Sequence, residues 1–169
     1  MIIVSGFPRS GTSMMMRILE KGGLKIIDDG FGKNEANPNG FYEVFNQKTA
    51  PQWRLNPADG DAVKIPAPWI LKTCGNDHTV IFMEREPSEI IASMRKLFDP
   101  TLWFLTNLLS VMRLWLMNRH HVVINYNKVL EDPRKELSKI KGMLPDFEEA
   151  IKVVDQKLYR NRKKEEICH

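Results

Sequence analysis

Cysteine is scarce in this chain: 169 residues hold two, Cys74 and Cys168. They stand far apart, in neither a CxxC pair nor the spacing of a zinc ligand set. The sequence therefore predicts two free thiols in a reducing compartment rather than a disulfide framework. Long apolar runs are missing as well, and nothing approaches the roughly 20 residues a membrane-spanning helix needs. The N-terminus opens directly on a strand-like run, with no basic leader or cleavage site, and the expectation is a cytoplasmic protein. Charge of one sign is only in slight excess, with 25 basic residues against 21 acidic ones for a net +4 and an isoelectric point near 9.1. That balance suits an anionic small ligand and does not imply nucleic acid. Histidine is sparse and poorly placed for acid–base work: His78 falls in the turn "GNDH", His120 and His121 open a strand, and His169 is the last residue. Internal repeats and low-complexity tracts are absent. The remainder is 43% hydrophobic and 27% charged, an ordinary globular balance, and the length suits one domain over 1–169 with a basic, polar tail from about 156.

Apolar patterning alternates short strands with helices. Met1 to Ser5 reads as a buried strand, apolar on both faces. Thr12 to Lys21 follows as a helix, stopped by Gly22-Gly23, and Leu24 to Ile27 as a second strand. Asp28 to Gly40, with "NPNG", reads as loop, Phe41 to Arg54 as partly helical, and Ala62 to Ile65 as a third strand. "TVIFME" (79–84) is the clearest later strand. Pro87 then suits the first turn of a helix running to about Leu97. "DP" at 99–100 starts another helix reaching His120, and Val122 to Tyr126 is a last strand. "EDPRKELSKIKGML" closes the pattern as an amphipathic helix with Asp132 as N-cap and Pro133 in its first turn. The expected fold is α/β: a three-layer arrangement of the P-loop kind, with a central parallel sheet of about four to five strands and helices on both faces. In such sheets ligands sit at the carboxyl ends of the strands.

"SGFPRSGTS" (5–13) lies at such an end. A Gly-containing turn from strand to helix aims successive backbone N–H groups into one concavity, and the helix N-terminus adds positive potential. Gly6 and Gly11 allow close backbone approach, Thr12 and Ser13 add hydroxyls, and Arg9 offers a planar fork for oxyanions. The spacing is GxxxxG followed by Thr-Ser, so the lysine of a nucleotide-hydrolysing loop is missing. An acidic magnesium ligand is also not obvious, since the third strand ends in "VKIP" with Lys64 and Glu84 alone could serve. A Gly turn that caps a helix and binds nothing is the plainer alternative.

"GFPRSGTS" resembles the 5′-phosphosulfate loop, P-[KR]-[SA]-G-[TS]-[TS], of the sulfotransferases that use 3′-phosphoadenosine 5′-phosphosulfate (PAPS). The resemblance implies that Pro8, Arg9, Ser10, Gly11, Thr12 and Ser13 bind the donor, with Arg9 near the bridging oxygen and the sulfuryl group. Gly11, Thr12 and Ser13 would cradle the 5′-phosphate, and no magnesium site is needed. "FMEREPSEIIASMRK" is similar to the family's 3′-phosphate motif, an arginine just past a strand and a serine eight residues on, here Arg85 and Ser93. Taken alone, Arg85 is a solvated charge and Ser93 a filler; taken as a pair they converge on one phosphate. On this reading Arg85→Ala weakens binding of the 3′,5′-bisphosphate far more than of the 5′-monophosphate. "NPNGFYE" (37–43), "VKIP" and "INYNKVLEDPRKEL" also look like family segments. The chain lacks the "RKG" element that completes the 3′-phosphate site in cytosolic members; Arg160 and Arg162 of the basic tail are a substitute, with a plain solvated tail as the alternative.

Sulfuryl transfer needs in-line geometry and charge stabilisation, together with a base for the acceptor's proton. Glu43, which matches the glutamate of the family's "GFWE" segment, is the candidate base. The other reading makes it a helix-start glutamate favoured by the dipole. Lys64 and Arg9 would steady charge on the sulfuryl and bridging oxygens. Leu105, Leu108, Leu109, Met112 and Leu116 recur at helical spacing and read as core. Trp103, Trp115, Phe41, Trp53 and Trp69 divide between core and an acceptor pocket. The expected activity is transfer from PAPS, leaving adenosine 3′,5′-bisphosphate (PAP), to a hydroxyl or amine on a sugar, lipid, peptide tyrosine or small phenol. The alternatives are a P-loop small-molecule or nucleotide kinase and a non-catalytic binder of PAP or PAPS.

Overall fold

The structure is a computed structural model and describes residues 1–28, 40, 42, 60–67, 69–72, 77–94 and 102–154, the side chains of 72 and 102–107 excepted. Among these residues five strands form one parallel sheet in the order β2-β3-β1-β4-β5. They are β1 (Ile2–Gly6), β2 (Ile26–Ile27), β3 (Ala62–Lys64), β4 (Thr79–Glu84) and β5 (His121–Asn125). The helices are α1 (Thr12–Lys21), α2 (Pro87–Met94), α3 (Leu102–Leu116), α4 (Tyr126–Glu131), α5 (Pro133–Leu137) and α6 (Phe147–Lys152), with 3-10 turns at Trp69–Lys72 and Ser138–Met143.

The central strands are apolar on both faces, and alternate residues divide between two cores. Val4, Ile81, Met83 and Ile124 face one layer, where they meet Met15, Met16, Ile18 and Leu19 of α1 and Val129, Leu137 and Ala150 of the C-terminal helices. Ile3, Val63, Val80 and Phe82 face the other, against Ile90 and Met94 of α2 and Met112 and Leu116 of α3. Helices therefore cover both faces, as an all-parallel sheet requires. None of the helices among the described residues is long and apolar enough to cross a membrane.

The bounds of α1 and β4 agree with the sequence reading. Two others shift. β2 is confined to Ile26–Ile27, inside the expected 24–27. β5 begins at His121 and ends at Asn125, because the Asn125 side chain accepts a hydrogen bond from the Lys128 N–H and caps α4, so Tyr126 opens a helix instead of closing a strand. The helix expected over "EDPRKELSKIKGML" starts as foreseen, with the Asp132 side chain accepting from the Lys135 N–H and Pro133 at its first position, but it tightens into 3-10 geometry at Ser138. α6, capped by Asp146, was not anticipated. The expected loop at 28–40 falls, after Asp28 and apart from Gly40, outside the described residues. The helical expectation over 41–54 does so as well, apart from Tyr42.

Topology places the site. From β1 the chain crosses through α1 to β2 at one edge; from β4 it crosses through α2 and α3 to β5 at the other. Neighbouring strands β1 and β4, in register with Gly6 beside Met83, thus send their connections apart. Such a switch point is where open α/β sheets place a crevice for ligands, at the strands' carboxyl ends.

Candidate functional site

Both sequence motifs leave the sheet at this crevice, and the structure joins them. The β1–α1 loop turns with the Ser10 N–H bonded to the Phe7 carbonyl, and Arg9 takes a left-handed φ of 72°. Gly11, at φ 96°, is the N-cap of α1, and no side chain caps that end. The Met15 N–H bonds back to the Gly11 carbonyl, which closes the first turn of α1, and the N-terminus of a helix carries positive potential. A β-carbon on Gly11 would lie 2.3 Å from Cδ2 of Tyr126; only glycine fits between the loop and that ring. Ser10 is fully buried with its Oγ unpartnered. Thr12 is also buried, and Pro8 stands exposed on the outer turn.

Side chains from β3, the end of β4, α2 and α4 close on this loop. Arg9 Nε donates to Ser93 Oγ at 2.8 Å, across 84 residues of sequence. Lys64 leaves the end of β3 almost wholly buried, 3% exposed, and its Nζ donates to Ser13 Oγ at 3.3 Å. Arg85, just past β4, donates from Nη1 to the Arg9 carbonyl at 3.0 Å. Its Nε donates to Glu89 Oε2 at 2.8 Å, with both side chains under one-tenth exposed, and its guanidinium lies over the Tyr126 ring, 4.5 Å from the centroid. Glu89 also accepts from Asn127 Nδ2 at 3.1 Å on each oxygen. Burial raises the Tyr126 phenol pKa above its ordinary value; the Arg85 guanidinium opposes the shift, the Glu89 carboxylate adds to it, and Arg9 opposes it.

The predicted residues Arg9, Ser93, Lys64 and Ser13 therefore meet side chain to side chain, and Arg85 meets the loop backbone. Glu43, Arg160 and Arg162 lie outside the described residues. Tyr42, the neighbour of Glu43, is described: it takes a left-handed φ of 51° and donates from its hydroxyl to Glu20 Oε2 at 2.8 Å. Glu20 is eight residues along α1 from Thr12, about 12 Å of helix rise. Burial and the Glu20 carboxylate push the Tyr42 phenol up.

No protein-family model matches the chain, and no curated protein does.

Glu84, the one carboxylate a magnesium-dependent reading had available, ends β4 as the partner of Arg113, at 3.0 Å from Nη2 to Oε1. Met112 and Leu116 are core as expected, Leu108 and Leu109 pack on its edge, and the side chain of Leu105 lies outside the described residues. Trp115 stacks under the Arg119 guanidinium at 3.7 Å. Trp69 is 37% exposed; Phe41, Trp53 and the side chain of Trp103 lie outside the described residues. Sequence reasoning missed Glu89, Tyr126 and Asn127. The first had a signal, an opposite charge four residues after Arg85 at a helix start. The other two had only their place after a strand that ends at the same sheet edge.

Proposed function

We propose that the crevice binds a nucleotide carrying two separate anionic groups, and that the chain is a PAPS-dependent sulfotransferase with a single P-loop domain. The reading rests most on one observation: Arg9 Nε and Ser93 Oγ, one from each motif, stand 2.8 Å apart at the switch point of the sheet. The glycine-headed α1 N-terminus, the left-handed Gly11 and the buried Ser10 hydroxyl suit a tetrahedral anion at one end of the ligand. Arg9 belongs to that end, and Ser93, which its guanidinium reaches, would meet the other. The resemblance assigns Arg85 to the same phosphate; its own contacts are taken up below.

Transfer would form a bond between the acceptor oxygen or nitrogen and sulfur as the bond from sulfur to the bridging oxygen of the 5′-phosphate breaks, releasing PAP. In that scheme Lys64 and Arg9 carry positive charge against the sulfuryl and bridging oxygens, where charge develops. Glu43 takes the proton that the acceptor hydroxyl or amine gives up. Glu84 is engaged by Arg113, which weighs against the kinase alternative.

A turnover assay tests the proposal. Purified chain is incubated with PAPS and a panel of alcohols, phenols and amines, and PAP release is followed. The expected result is acceptor-dependent release that Glu43→Ala reduces by at least about 100-fold, the scale of a general base. Magnesium-dependent turnover of ATP with none of PAPS would assign the kinase instead. Donor binding without transfer would assign the non-catalytic binder.

A further inference from the structure

Arg85 is where the resemblance and the geometry part. An arginine that reads a phosphate presents its fork to the ligand, yet Arg85 has its side chain 7% exposed and its Nε on the carboxylate of Glu89, itself 4% exposed. Its Nη1 is on the Arg9 carbonyl, and the flat of its guanidinium is on Tyr126. Each contact has support behind it. Glu89 is oriented by Asn127, and the ring of Tyr126 is wedged against Gly11. The group on which Arg85 closes is the carbonyl of a non-glycine residue in the left-handed region, a conformation that persists only where its surroundings hold it. The carboxylate also cancels the charge that a phosphate would seek.

We infer that Arg85 is a positioning residue: with Glu89, Asn127 and Tyr126 it fixes the shape of the β1–α1 loop at Arg9, while Ser93 is left to meet the second anionic group. The inference rests on the proposed nucleotide site and runs against the resemblance, which makes Arg85 itself the 3′-phosphate ligand. The two roles give opposite signs for one substitution. If Glu89 holds a clamp, Glu89→Gln slackens the loop and weakens binding. If Glu89 merely competes for a reading arginine, Glu89→Gln releases Arg85 and strengthens binding of the 3′-phosphate.

Calorimetric titration of the full chain with PAP and with AMP tests it, using wild type, Glu89→Gln, Arg85→Lys and the double variant. A lysine cannot hold Glu89, the Arg9 carbonyl and the ring face together. The inference predicts that each single variant weakens PAP and AMP by the same factor of about ten, the scale of one charge-assisted hydrogen bond. The double variant falls no further than the singles. Amide hydrogen exchange of residues 8–14 in the ligand-free chain quickens in each variant, with the rest of β1 and α1 unchanged. Tighter PAP binding by Glu89→Gln, or a loss confined to PAP in Arg85→Lys, would overturn it. Should wild type bind neither nucleotide, the functional reading fails, and the exchange rates alone decide the clamp: unchanged loop exchange overturns it. Arg85→Lys keeps the test alive if Glu89→Gln does not fold.

Discussion

Gly11 carries the local geometry of the site in the smallest compass. At φ 96° a side chain is strained, and 2.3 Å from a ring carbon it has no room. Gly11→Ala is therefore expected to destabilise the chain by about 1–3 kcal/mol, the range for a non-glycine residue forced into this region. The same change should weaken any nucleotide that binds the loop, because the ring of Tyr126 cannot yield without moving Arg85. Urea unfolding with a parallel titration checks this; an Ala variant of wild-type stability and affinity would mean the loop relaxes freely. At this scale the sequence was partly legible. Gly6, Arg9, Gly11, Thr12 and Ser13 could be picked out because phosphate chemistry favours those residue types at that spacing, and Lys64, Arg85 and Ser93 through the resemblance. The contacts made by Arg85 could not, since whether an arginine binds a ligand or a carboxylate depends on Glu89 and Asn127, which only the meeting of the first turns of α2 and α4 at the sheet's edge brings together.

Among the elements, legibility followed punctuation. α1 and β4 have the bounds read from the sequence because Gly22-Gly23 stops one and the Arg85–Pro87 turn ends the other. β5 was read one residue too far because the apolar alternation of "VVINY" continues through Tyr126, while the Asn125 cap overrides it. α6 is six residues long, too short to display a helical period. The caps make a testable set. Asp132→Ala and Asn125→Ala should each cost about 1 kcal/mol, the typical loss of a side-chain N-cap, with m-values unchanged. Asn125→Ala should in addition disturb the site, because α4 begins with Tyr126 and Asn127. Equal and purely additive losses, with nucleotide affinity intact in both, would detach α4 from the site. Phe82 is fully buried between β4 and α2–α3, and Phe82→Ala should cost about 3–5 kcal/mol.

For the whole molecule, the two-core arrangement and the order β2-β3-β1-β4-β5 make the carboxyl edge of β1 and β4 the place where distant segments converge. One consequence is a pH dependence. Burial raises the phenol pKa values of Tyr42 and Tyr126 above 10.0, so the folded state holds these protons longer than the unfolded chain does. Their contribution is fully present below the ordinary phenol pKa and is lost as pH rises through the folded values. Stability should therefore fall from about pH 10 upward, and Tyr42→Phe should make that fall shallower; urea midpoints between pH 8 and 11 measure it. An unchanged slope in Tyr42→Phe would mean the Tyr42–Glu20 contact is not kept in solution.

The central claim is that one crevice grips a nucleotide at two anionic ends. Calorimetric titration of the wild-type chain with adenosine 3′,5′-bisphosphate, AMP and ATP–magnesium tests it most directly. The account predicts the order bisphosphate, then AMP, then ATP–magnesium, with the 3′-phosphate adding at least about tenfold, or 1.4 kcal/mol, over AMP. Equal binding of bisphosphate and AMP, or tightest binding of ATP–magnesium, would contradict it.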